Sequence, residues 1–128
     1  MTISGSSMLG LILLGHLFAD YTLQGCLANL KQKAWWDRQL ENVPNKEKYR
    51  NDYMAGLVCH SLYWSLIVCL PLLMAGGDLY LANAVVHSLV HYVVDDMKAN
   101  RFAINLVQDQ LLHMAQLLAV WDVWNIAC

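Results

Sequence analysis

Charge is scarce in this chain of 128 residues: Asp, Glu, Lys and Arg make up 14%, against 58% hydrophobic residues. Ordinary soluble domains carry roughly a quarter charged residues, so the composition leans toward a membrane protein. There is no basic excess; the net charge of −2 argues against an electrostatic nucleic-acid binder. The four cysteines lack CxxC spacing, which excludes a zinc finger and a disulfide framework. Cys26, Cys59 and Cys69 read as buried small apolar residues and Cys128 as a free terminal thiol. The N-terminus has neither a basic n-region nor a small-residue cleavage site before Asp20, so no cleavable signal peptide is expected. Internal repeats and low-complexity tracts are absent as well.

What is present is a set of four long apolar segments, about Met8 to Leu30, Met54 to Ala75, Leu79 to Met97 and Phe102 to Ile126. Each approaches the roughly 20 residues that cross a bilayer. The expectation is one all-α domain over residues 1–128, a four-helix transmembrane bundle with a polar interior. Lys31 to Tyr53 forms a polar connection with a short amphipathic helix around Trp35 to Leu40. Gly76-Gly77-Asp78 and Lys98 to Arg101 form turns, and Pro71 kinks the second helix. All eight basic residues fall in the first and third connections, which the positive-inside rule makes cytoplasmic. That predicts a multi-pass bacterial inner-membrane protein, with the lipid bilayer as partner and both termini outward. Trp35, Trp36, Tyr53, Tyr80, Trp121 and Trp124 would form its aromatic belts. The rival is a soluble four-helix bundle with a greasy sequence. Composition leaves a homo-oligomer open.

The histidines carry the chemistry. The sequence reads His16-Leu-Phe-Ala-Asp20, His87-Ser-Leu-Val-His91, His91-Tyr-Val-Val-Asp95 and Asp109-Gln-Leu-Leu-His113. A spacing of four is just over one helical turn, so each pair shares a face. Buried ionisable groups are costly unless paired, metal-bound or wet. Counted at about 1.5 Å per residue from the helix ends, Asp20, His60, His91, Asp95, Asp109 and His113 converge on one half of the bundle. Their chemistry suits a divalent metal, zinc first and manganese or iron next. The ligand candidates are His16, Asp20, His60, His91, Asp95, Asp109 and His113. Seven suit two metals, or one metal with carboxylates that orient the histidines. Asp20, Asp95, Asp109 and Lys98 are the catalytic candidates, with an aspartate not bound to metal as general base. Lys98 would meet a phosphate, and Gln24 and Gln110 would bind substrate as oxyanion donors. Asn83, His87 and Gln116 read as structural polar groups.

These three His/Asp motifs, with Tyr21, Gln24 and Lys98 in place, resemble the small bacterial and phage membrane proteins grouped as domain of unknown function 3307. The resemblance covers nearly the whole chain in the same order. It implies a membrane helix bundle but no particular activity. The pattern is also distantly similar to that of membrane-bound metal-dependent hydrolases, which implies hydrolysis of a phosphoester or lipid from the cytoplasmic side. The chain departs from the family one turn after His60, where a second histidine is usual and Trp64 stands, and its first connection is long. Two other functions compete: a proton or metal-ion transporter, which needs the polar row to reach the outer face, and a non-enzymatic membrane subunit that recruits a partner through the long connection.

Overall fold

In the computed structural model, residues 4–74, 77 and 79–127 are described, and among them the only regular structure is helical. The elements are α1 (Gly5–Leu17), a π-helical turn (Phe18–Thr22), α2 (Leu27–Leu30), α3 (Lys33–Gln39), a 3-10 turn (Lys46–Tyr49), α4 (Asp52–Val68), α5 (Leu70–Met74), α6 (Tyr80–Ala99) and α7 (Leu106–Ala127). Local sequence sets several ends. Ser4 caps α1 by accepting from the Ser7 amide. Before α7, Asn105 and Gln108 exchange side-chain and backbone bonds at 2.9 and 3.0 Å, the reciprocal arrangement of a capping box.

Four helices close a ring: α4 packs on α6, α6 on α7, α7 on α1 and α1 on α4. One end of the ring is apolar. Met8 and Ile12 of α1, Trp64 and Val68 of α4, Ala84 of α6, and Leu117, Val120 and Trp124 of α7 are buried there with Leu72 of α5. The other end buries His16, His60, His91, Asp95, Asp109 and His113. On α7 the buried residues are Asp109, His113, Gln116, Leu117, Val120 and Trp124, a stripe at helical spacing that passes from polar to apolar.

The transmembrane expectation is overturned. Among the described residues no helix is long and apolar enough to cross a membrane, so neither a transmembrane bundle nor a multi-pass inner-membrane location is supported. The reasons are local. The first apolar segment breaks after α1, at the π turn and at Gly25, whose φ of 44° suits glycine. The second divides at Cys69, next to Pro71, which has no N–H to continue the ladder. The third and fourth are long enough, with 20 and 22 residues. Their interior faces, however, carry the histidines and aspartates that dilute their hydropathy. The aromatic residues assigned to belts also have internal duties. Trp124 is buried, and the Trp121 indole donates to the Gly5 carbonyl. The Tyr80 hydroxyl donates to the Leu66 carbonyl, and the Trp36 indole to the Leu30 carbonyl. The outer faces nonetheless expose many large apolar side chains, among them Leu14, Leu81, Leu89, Val107 and Leu111.

The cysteines need a second correction: Cys69 is buried, but Cys26 and Cys59 are exposed. Cys128 and most of the Gly76-Gly77-Asp78 turn lie outside the described residues; Gly77 itself has φ of 85°.

One close approach positions the polar end. A Cβ on Gly56 of α4 would stand 2.6 Å from both the carbonyl carbon and oxygen of Leu30, and 2.9 Å from the Lys31 nitrogen. Only glycine lets α2 lie this close. Gly56→Ala should therefore cost about 1–3 kcal/mol through overpacking against rigid backbone. A urea-denaturation midpoint unchanged by the substitution would show that α2 does not pack there.

Candidate metal centre

Five elements bring the site together. α1 supplies His16, the π turn Asp20, α4 His60, α6 His91 and Asp95, and α7 Asp109 and His113. The π turn spans the residues around Asp20; such wide turns recur at functional sites. Two groups have ligand atoms close enough to hold a metal ion: Asp20, His60 and His91, and His91, Asp95 and His113.

The first group has the better geometry. Asp20 Oδ1 lies 3.4 Å from His60 Nε2 and 3.9 Å from His91 Nε2, and the two nitrogens are 3.1 Å apart. The point equidistant from these atoms lies about 2.0 Å from each, the length of a zinc–nitrogen bond. Asp20 Oδ1 is buried without a hydrogen-bond partner. Such orphans are uncommon in folded proteins; His16 Nε2, His91 Nδ1 and Asp109 Oδ1 of the same cluster are orphaned too, and the cluster could hold a cation.

Neighbours aim these ligands. The Tyr63 hydroxyl donates to the Ala19 carbonyl at 2.6 Å and accepts from His60 Nδ1 at 3.2 Å. Once its Nε2 proton is given up to a metal, His60, still protonated on Nδ1, would turn the Nε2 lone pair toward Asp20 and His91, as a metal ligand must. Trp64 stacks on His91, with ring centroids 4.0 Å apart, and its indole donates to His16 Nδ1 at 3.1 Å. His16 Nδ1 is also 3.3 Å from Asp20 Oδ2. His16 thus lies behind Asp20 and outside both three-residue groups. Trp64, at the position where the resemblance leads one to expect histidine, closes the polar layer against the apolar one.

His113 sits differently. Its Nδ1 donates to Gln116 Oε1 at 3.3 Å, and its Nε2 is 3.3 Å from Asp109 Oδ1 and 3.6 Å from Asp95 Oδ1. Burial alone would lower its pKa, but the Asp109 and Asp95 carboxylates outweigh burial and raise it to about 9. Burial opposes ionisation of Asp109 too, yet His113 and Lys98 hold it down at about 2. His91 is the reverse case. Desolvation dominates and takes it to about 3, so it is neutral and free to ligate. Burial lowers His60, but the Asp20 and Asp95 carboxylates beside it outweigh burial and raise it.

Two lysines complete the cluster. Lys98 Nζ is 2.8 Å from Asp109 Oδ2, and Lys31 Nζ is 2.6 Å from Asp95 Oδ2. A half-open pocket of about 110 Å³ leads to this end, lined by Asp20, Tyr21, Gln24, Asp95, Lys98, Leu106, Asp109, Gln110 and His113. Nearly all the residues predicted to act on a substrate therefore share one opening. Gln110 is already engaged: it accepts from the Tyr21 hydroxyl at 3.2 Å and donates to Asp109 Oδ2 at 3.0 Å. Of the groups read as structural, Gln116 also donates to the His87 carbonyl, and Asn83 to the Leu79 carbonyl. Sequence reasoning missed Lys31 and Tyr63 and read Trp64 only as a lost ligand. Tyr63 carried a signal, three residues after His60 and one turn along the same helix.

No family model, curated protein or solved structure matches the chain.

The histidines make stability a peaked function of pH. Groups lowered on folding, His91, His16 and His87, leave the folded state short of protons. Their contribution is lost as pH falls below the ordinary histidine value. His113 and His60 are raised, so their contribution is complete below about 6.5 and lost as pH rises, for His113 through about 9. The chelated protein should therefore be most stable near pH 6.5. In His113→Gln the alkaline decline should shrink. Denaturation midpoints that stay level from pH 6.5 to 9.5 would contradict this.

Proposed function

We propose that the polar end of the bundle is a divalent-metal centre, with zinc its metal, that hydrolyses a phosphoester. The observation that carries this reading is the triangle of Asp20 Oδ1, His60 Nε2 and His91 Nε2, with its orphaned carboxylate oxygen and metal-bond spacing. Two histidines and one carboxylate are one of the donor sets of a catalytic zinc. A zinc ion there would supply an ionised water at neutral pH and polarise a phosphoryl oxygen.

The remaining residues divide the other tasks. Tyr63 holds His60 in the ligating tautomer. His113, protonated at neutral pH, donates the proton that a departing alkoxide needs. Asp109 and Asp95 keep that proton in place. An aspartate held near 2 is too weak a base to activate water, so Asp109 is set aside among the aspartates expected to supply a general base. Lys98 stands at the mouth, where its ammonium meets the phosphate charge. The transporter reading depended on helices that cross a bilayer and is not carried forward.

Elemental analysis of purified protein should find zinc in the wild type and none in a His60→Ala, His91→Ala double variant. Hydrolysis of a small aryl phosphate should vanish with chelator and return with zinc. A folded wild type that takes up no added metal overturns the reading. Iron in place of zinc would redirect it, since two histidines and a carboxylate also hold iron(II) in oxygenases. Tyr63→Phe keeps the ring and removes the acceptor. It should weaken zinc binding about 10- to 100-fold by competition titration, and an unchanged affinity would remove Tyr63 from the site.

A further inference from the structure

The metal-capable residues exceed the needs of one ion, and Lys31 accounts for the surplus. Asp95, His113 and Asp109 could form a second site beside the first, with Asp95 between them: its Oδ2 is 3.1 Å from His60 Nε2 and its Oδ1 3.6 Å from His113 Nε2. His91 Nε2 cannot serve both sites, because one ring nitrogen offers one lone pair. We propose that the Lys31 ammonium takes the place of a second metal ion, so that the centre holds a single divalent cation. This rests on the metal-centre reading above.

Position argues first. Lys31 Nζ lies 2.6 Å from Asp95 Oδ2, and its side chain is only 12% exposed. A surface lysine seldom holds one geometry, but here the backbone is fixed on three sides. Gly56 of α4 admits Leu30 and Lys31 at contact distance. Asn100, at the end of α6, donates to the Lys31 carbonyl at 3.1 Å and accepts from the Lys33 amide at 2.7 Å. The Trp36 indole holds the Leu30 carbonyl at 2.8 Å. The segment is tied to the two helices that carry His60 and Asp95, so the ammonium is delivered to the carboxylate as part of the fold.

Charge argues second. Asp20, Asp95 and Asp109 bring three negative charges, and Lys31 and Lys98 bring two positive ones. Counting these carboxylates and lysines alone, one divalent ion takes the cluster from one net negative charge to one net positive. Two would leave an excess of three positive charges in a largely buried place, where uncompensated charge is most costly. Occupancy argues third. A second ion would have to displace Lys31 from Asp95 and Lys98 from Asp109.

The test is metal stoichiometry. Chelator-stripped protein is equilibrated with zinc, freed of excess and measured by elemental analysis. Wild type and Lys31→Arg should bind one equivalent, and Lys31→Gln should bind two. Loaded with manganese(II), wild type should give the paramagnetic resonance spectrum of an isolated ion, and Lys31→Gln that of a coupled pair. Should Lys31→Gln require metal to fold, refolding it in zinc reads the same stoichiometry. Two equivalents in the wild type, or one in Lys31→Gln, overturn the proposal while the metal centre stands. No metal in any of them overturns the centre itself.

Discussion

Everything at the polar end depends on carboxylates kept ionised away from water. Asp95 and Asp109 are almost wholly buried, and an isolated charge there would neutralise itself by taking up a proton. Each avoids this with an ammonium and an imidazole: Lys31 and His60 on Asp95, Lys98 and His113 on Asp109. The two ammonium groups come from different places, Lys31 from the residue after α2 and Lys98 from α6, so the ion pairs join parts of the chain that hydrophobic packing alone would not hold in register. Break one pair and the remaining charge is stranded. The arrangement is therefore weak support for stability and strong support for specificity of position.

Antiparallel packing sorts these residues without further instruction. Polar groups lie in the C-terminal half of α6 and the N-terminal half of α7, and at the end of α1, while α4 carries His60 in its middle. When the helices close into a ring, the four contributions meet at one level and the apolar halves meet at the other. Trp64 lies at the boundary. Its ring faces His91 and its N–H reaches His16, so one side chain finishes the apolar layer and satisfies the polar one.

The convergence of Asp20, His60, His91, Asp95, Asp109 and His113 was legible in the sequence, because a spacing of four on a helix is a geometric statement whatever surrounds it. The membrane was misread for a related reason. Apolar runs were weighed by length, but the polar groups that defined the site also removed the hydropathy of α6 and α7, and Gly25 and Pro71 interrupted the other two runs. The resemblance to the domain of unknown function rests on the three motifs alone. Lys31 escaped notice because it falls in a basic stretch that reads as a solvated face. Only the contact of Leu30 with Gly56 and the two bonds from Asn100 show that it turns inward. Tyr63 was hidden by the same limit, since its partner is a backbone carbonyl 44 residues away.

The π turn at Phe18–Thr22 gives the site an unusual kind of fragility. An α-helix advances about 100° per residue, and the wider turn is what carries Asp20 to the level of His60 while α1 keeps Met8 and Ile12 in the apolar layer. Shortening this stretch by one residue would let an ordinary helix run on, with a better backbone and no carboxylate at the triangle. The amino acids of the site could then all be retained and the centre still be lost. For this chain, the spacing between His16 and the polar connection is as much a part of the chemistry as any side chain in it, and drift in length is more dangerous there than drift in composition.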